Sequence, residues 1–131
     1  MSEDTLSVRN EMDIISVRGF GRNVAAQLGF GVVDQCRITT AISELARNIV
    51  VHGGGGSVTI KTIQNDKKGI EIICKDKGPG IRDMELALKG GFSTVGGLGI
   101  GLSGAKRLMD EFQITSFTGK GTTVMIRKWL K

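Results

Sequence analysis

The stretch Gly90–Gly104, GGFSTVGGLGIGLSG, places seven of the chain's 20 glycines in 15 residues. Glycine loses more conformational freedom on folding than any other residue, so a packing scaffold has no reason to concentrate it, whereas backbone that wraps closely around a ligand does. The stretch reads as a phosphate-binding loop. Leu102, Ala105, Leu108 and Met109 follow at helical spacing, and a helix N-terminus offers unpaired N–H groups and partial positive charge to an anion. Loop and helix together suit a polyphosphate. Two familiar glycine fingerprints do not fit. Gly99-Ile100-Gly101-Leu102-Ser103-Gly104 has the GxGxxG spacing, but no strand leads into it and no acidic residue follows Glu111. A Walker loop counted from Gly96 requires Lys where Leu102 stands.

Outward from this stretch the periodicity is clear. Upstream, Asp76-Lys77-Gly78-Pro79-Gly80 interrupts the pattern directly after an apolar β-branched run, Ile70–Cys74, and a short helix is expected over 83–88. That run pairs as an antiparallel hairpin with the alternating segment Ser57–Gln64 across the turn Asn65–Gly69. Further back, Ile38, Ala41, Ile42, Leu45 and Ile49 mark a helix over 33–51 that stops at His52-Gly53-Gly54-Gly55-Gly56. Ile14, Val17, Phe20, Val24 and Leu28 mark another over 11–28, capped by Asn10 and closed by Gly29. A weak first strand is expected over 5–8. Downstream, Phe112–Phe117 and Thr122–Trp129 form a second hairpin around Thr118–Gly121. Helices early and hairpins late predict an α+β fold, a largely antiparallel sheet covered on one face by helices.

Composition narrows the classes. A chain of 131 residues, 40% hydrophobic and 24% charged, with mean hydropathy +0.02, is globular and is expected to form a single domain, 1–131. No apolar run approaches the roughly 18 residues of a membrane span, and the start MSEDTLS lacks a signal peptide's basic and apolar regions. A cytoplasmic protein without membrane contact is expected. Cys36 and Cys74 form no CxxC, so two buried thiols are expected rather than a metal site or disulfide. The net charge of +5 favours an anionic partner. Nucleic acid is disfavoured, because aromatics make up only 5% and no RNA-binding or helix-turn-helix signature is present.

Candidate chemistry lies on the second helix and after the following hairpin. Thr40, Glu44 and Asn48 recur every four residues, about 100° round from the apolar face. Magnesium keeps several waters and takes one or two protein oxygens plus substrate phosphates, a role the Asn48 amide can fill, and Glu44 can accept a proton from an attacking hydroxyl. A solvated helix face is the alternative. Asp76 can accept a hydrogen bond from an exocyclic amino group, with Gly78 and Gly80 letting a flat ring lie close to the backbone; a turn-capping carboxylate is its alternative. His52 reads as a helix-end residue, and Lys106, Arg107, Lys120, Arg127, Lys128 and Lys131 read as solvated charge.

In order, Glu44-Leu45-Ala46-Arg47-Asn48, Asp76–Gly80, Gly97-Leu98-Gly99-Ile100-Gly101 and Gly119-Lys120-Gly121-Thr122 resemble the N box and glycine boxes of the GHKL ATPase/kinase superfamily. ITTAISELARN and GFSTVGGLGIGLSGAKRLMDEF are similar to the serine/threonine switch kinases of bacterial stressosomes. The resemblance implies a Bergerat-type two-layer α/β sandwich with a mixed, mostly antiparallel sheet, holding ATP and magnesium. It implies Asn48 as magnesium ligand, Glu44 as base, Asp76 as adenine anchor with Gly78 and Gly80 beside it, and Thr122 as a supporting contact. Gly97, Gly99 and Gly101 would line the triphosphate under a short lid, 81–96. No phosphoacceptor histidine region precedes the domain, so a two-component histidine kinase is not expected. Such a kinase phosphorylates Ser or Thr of STAS-domain scaffold or antagonist proteins and, once released, activates a phosphatase. The boxes leave open an anti-sigma factor or ATP-gated switch that acts by sequestration.

Overall fold

The computed structural model describes residues 2–78, 98–117 and 121–131. Asn10 is extended (φ −149°) and its side chain accepts a hydrogen bond from the Asp13 N–H at 3.1 Å, so helix α1 (Glu11–Leu28) begins where its cap predicts. It ends at Gly29, whose left-handed φ of 104° lets the N–H groups of Gly29 and Phe30 close onto Ala26 and Ala25. Helix α2 (Val32–His52) turns back along it, and Glu11 meets Arg47 at 3.2 Å. The two helices come close at Gly21, where a Cβ would stand 2.3 Å from the Ile42 side chain.

The strands are β1 (Glu3–Val8), β2 (Gly56–Gln64), β3 (Lys68–Asp76), β4 (Glu111–Phe117) and β5 (Gly121–Trp129), in the order β1-β2-β3-β5-β4. Every pairing among the described residues is antiparallel. Register puts Ile60, Ile72 and Ile126 in one row and Val58, Cys74 and Val124 in the next. Both rows are buried, in one core with Ile14, Val17, Ile38, Leu45 and Leu102. Side chains alternate across a strand, so the residues between them form the sheet's other, open face.

That open face carries a feature invisible to local reading. Glu3, Lys61, Glu71, Arg127 and Glu111 occupy one cross-strand row over all five strands, with alternating sign. Glu71 is only 5% exposed and receives Arg127 at 2.6 Å and Lys61 at 3.3 Å; Glu111 meets Arg127 at 3.3 Å and Glu3 meets Lys61 at 3.8 Å. The hydrogen bond to Glu71 raises the Arg127 guanidinium above its ordinary pKa. Arg127 is therefore engaged, not solvated. Lys128, on the core side, is 5% exposed, and its ammonium donates to the Leu108 carbonyl at 2.9 Å, closing the end of helix α3 (Leu98–Leu108). The expectation of solvated charge fails for both, because their acidic and carbonyl partners lie far away in sequence.

Two further expectations change. Helix α3 begins at Leu98, inside the glycine stretch, so Gly99, Gly101 and Gly104 are helical rather than loop. The cost of glycine in a helix, about 1 kcal/mol each, is offset where Leu102 and Ala105 bury fully, 1% and 0% exposed. Cys36 is exposed. It precedes Ile38 by two residues, about 200° round the helix from the core face. Cys74 is buried as expected, and burial, aided by the nearby Asp76 charge, pushes its thiol up to about 12. The short helix over 83–88 and the lid over 81–96 lie outside the described residues.

Candidate functional site

Residues four apart on a helix drift by about 40° per step, and that drift decides what the α2 stripe becomes. Thr40 is exposed, whereas Glu44 and Asn48 are half-buried. The next step reaches His52, the last residue of α2. Among the described residues, Asn48 Nδ2 and His52 Nε2 are buried without a hydrogen-bond partner. A buried polar atom left unpaired costs roughly 1–3 kcal/mol, so two of them one turn apart mark a place completed by something else. The sequence had presented His52 only as a helix-end residue. Its signal was the continuation of the same four-residue step.

The Asn48 side chain fits a magnesium–phosphate group. Its amide offers Oδ1 to a cation and Nδ2 to a phosphate oxygen, and magnesium takes few protein ligands when phosphates supply the rest. Among the described residues no three His, Cys, Asp or Glu side chains come together, so any metal-holding set drawn from them would be of this sparse kind. Glu44, one turn earlier, has no hydrogen bond or ion pair with any described residue, which leaves its half-buried carboxylate available.

Asp76 closes β3, and the end of α2 is pressed against it. A Cβ on Gly53 would stand 2.5 Å from Asp76 Cβ, and one on Gly78 would stand 2.7 Å from Gly53 Cα and 2.9 Å from the His52 carbonyl oxygen. Only glycine permits this approach. The Gly78 N–H donates to Asp76 Oδ1 at 2.8 Å. Asp76 is thus a turn cap with one oxygen, while Oδ2 has no partner among the described residues. The register Lys75↔Thr123, carried one step on, sets Thr122 beside Asp76. The Thr122 hydroxyl shares a hydrogen bond with the Ser116 hydroxyl at 2.9 Å.

The structure therefore gathers Asp76, Gly78 and Thr122 at one strand end, with His52 and Gly53 against them and Asn48 one turn further along α2. Gly99 and Gly101 lie in the first turn of α3, which packs on α2. Gly80 and Gly97 lie outside the described residues. In the sequence Gly53 marks only a helix stop; the signal it carries is the four-glycine run placed before a strand.

Comparison with known proteins gives a consistent picture. The family model for the histidine kinase-, DNA gyrase B-, and HSP90-like ATPases matches residues 33–131. The serine/threonine-protein kinase RsbT of Bacillus subtilis (strain 168) is 52% identical over 130 residues, covering 98% of each chain. The anti-sigma F factor of Thermoanaerobacter sp. (strain X514) is 37% identical over 113 residues, covering 81% of this chain and 78% of the relative. Among solved structures, the mycobacterial sensor histidine kinase MprB matches with a TM-score of 0.57 over 98% of this chain and 97% of its own. At 17% identity that likeness speaks for the fold alone.

Proposed function

This chain belongs to the family of histidine kinase-, DNA gyrase B- and HSP90-like ATPases, and from that premise we propose that it is an ATP-dependent serine/threonine protein kinase. Its acceptors are STAS-domain scaffold or antagonist proteins of a partner-switching stress pathway, and its release from them activates a phosphatase. The observation that carries the reading is Glu44, a half-buried carboxylate with no described partner, one helical turn from Asn48. A nucleotide-binding switch needs the amide; a transfer reaction also needs a carboxylate beside it to take the acceptor's proton.

In this reading Asp76 Oδ2 accepts a hydrogen bond from the adenine amino group while Gly78 and Gly80 leave room for the ring, and Thr122 supports that contact. Asn48 and His52 hold the phosphates from α2, and the backbone N–H groups of Gly99 and Gly101 hold them from the first turn of α3, with Gly97 of the same glycine box expected to join them. Magnesium, held by Asn48, would neutralise charge on the triphosphate. Glu44 orients the acceptor hydroxyl and takes its proton as the oxygen bonds to the γ-phosphorus and the bond to ADP breaks. Phosphoryl transfer depends mainly on positioning and charge neutralisation, which suits the few polar groups that the described residues bring to the site.

The test is incubation with labelled ATP, magnesium and cell extract, followed by identification of labelled proteins. The expected result is phosphate on a Ser or Thr of a STAS-domain protein. The second reading, an anti-sigma factor acting by sequestration, is favoured by the anti-sigma F relatives. A stable complex with a sigma factor and no transfer to any STAS-domain protein would support it and overturn the kinase reading.

A further inference from the structure

The open face of the sheet divides into two halves by charge. In the half that holds the Glu71 row, Lys61 and Arg127 both have acidic partners. At the other end stands the row Ser7, Ser57, Lys75, Thr123. With Arg9, Asp76, Lys77 and the glycine turn 53–56 after α2, this row lines a cleft of about 810 Å³ that adjoins the nucleotide site at Gly53 and Asp76. The side chains of Arg9, Lys75 and Lys77 form no ion pair with any described residue. Neither of the nearest acids forms an ion pair with these cations. Asp13 accepts the backbone N–H of Arg9 at 2.8 Å, and Asp76 accepts that of Gly78 from the opposite face of β3.

We propose that the part of this cleft on the open face of the sheet, away from the helices, is a second anion site beside the nucleotide site, and that it takes a small molecule bearing two or more phosphate groups. Three unpaired cations supply charge, and three hydroxyls in the same row supply hydrogen bonds that orient an oxyanion. The volume lies within the range of small-molecule pockets. An acidic protein face is the rival occupant. It is disfavoured because protein interfaces depend on exposed apolar and aromatic anchors. The exposed large hydrophobic residues described are Met12, Ile15, Val32, Val33 and Val51, all on the helices and none on the open face.

The experiment holds the protein saturated with magnesium and a non-hydrolysable ATP analogue, then titrates pyrophosphate with magnesium in excess while amide resonances are followed. Saturable shifts are expected at Ser57, Lys75 and Thr123, with apparent affinity at least about tenfold weaker in the double variant Arg9→Gln, Lys75→Gln. Both side chains lie outside the nucleotide machinery, so the variant should bind the ATP analogue as the parent does, which also reports that it is folded. Shifts confined to Asn48, His52 and the first turn of α3 would overturn the proposal, since the anion would then merely visit the nucleotide site. Equal affinity in the double variant would overturn it too, as would shifts at the cleft with poly-glutamate and none with pyrophosphate.

Discussion

Two carboxylates on β3, Glu71 and Asp76, stand five residues apart and are used in opposite ways. Glu71 faces away from the helices, is 5% exposed, and has both oxygens bound by cations from neighbouring strands. Asp76 faces the end of α2, is half-buried, and has one oxygen on the Gly78 N–H and the other without a described partner. A buried charge is tolerated when it is fully paired, so Glu71 binds the sheet together. One left half-paired at a strand end awaits a ligand. Glu44 extends the second pattern to the helical layer, with no described partner at all. The difference separates the part of the molecule that holds its shape from the part that acts.

The sharpest break of this division is expected at Glu44. General-base assistance is typically worth 10²- to 10⁴-fold, so Glu44→Gln should lose about that much single-turnover phosphorylation while keeping near-normal affinity for magnesium–ATP. Calorimetry paired with transfer kinetics measures both. Joint loss of affinity and rate would make Glu44 a support for the metal, and full activity would remove it from the mechanism.

Asp76→Ala comes next. A hydrogen bond to a charged group contributes roughly 1.5–3 kcal/mol, so ATP should bind at least about tenfold more weakly. Because Oδ1 also caps the turn to Gly78, a modest fall in the urea midpoint is expected as well. Unchanged ATP affinity in the folded variant would falsify the adenine role and leave Asp76 a turn cap alone.

Glu71→Gln should show the reverse. Its neutral amide cannot balance two cations, but Arg127 and Lys61 are each about one-third exposed and regain some hydration. The cost should be about 1–3 kcal/mol of stability, read from urea unfolding, with ATP affinity unchanged. If nucleotide binding fell and stability did not, the division between the two ends of β3 would be wrong.

How much of this the sequence disclosed follows from the range of each interaction. Helix α1 was legible to the residue because Asn10 and Gly29 act on neighbours within one turn. The sheet's hairpins were legible because their turns are local. The Glu3, Lys61, Glu71, Arg127, Glu111 row was not, since its members are brought together only by strand order. Arg127 therefore looks solvated in the sequence, and so does Lys128, whose carbonyl partner Leu108 lies 20 residues away. Cys36 is exposed although cysteine is usually buried, because its position on the helix, away from the core face, outweighs its residue type. At the site, Glu44 and Asn48 stand out by spacing and Asp76 by its place between a strand and a glycine-rich turn, but the contact of Gly53 with Asp76 joins residues 23 apart and is made only by the fold. The start of α3 was missed because glycine content argued for loop and burial of Leu102 and Ala105 decided for helix.

The smallest effect is expected at Thr122, which stands between the two patterns. It lies beside Asp76, yet it is 9% exposed and its hydroxyl already shares a hydrogen bond with Ser116. A neutral hydrogen bond contributes a net 0.5–1.5 kcal/mol or so, and one shared hydroxyl cannot give that full amount to both the sheet and a nucleotide. Thr122→Val keeps the shape and removes the hydroxyl, and Ser116 still reaches the Gly121 carbonyl at 3.4 Å, so the fold should hold. ATP affinity should fall about two- to fivefold by calorimetry, and Thr122→Ser should restore it. A lower urea midpoint with unchanged ATP affinity would assign the hydroxyl to the sheet, with Glu71. The acting end of β3 would then consist of Asp76 and the residues of α2 and α3 that face it.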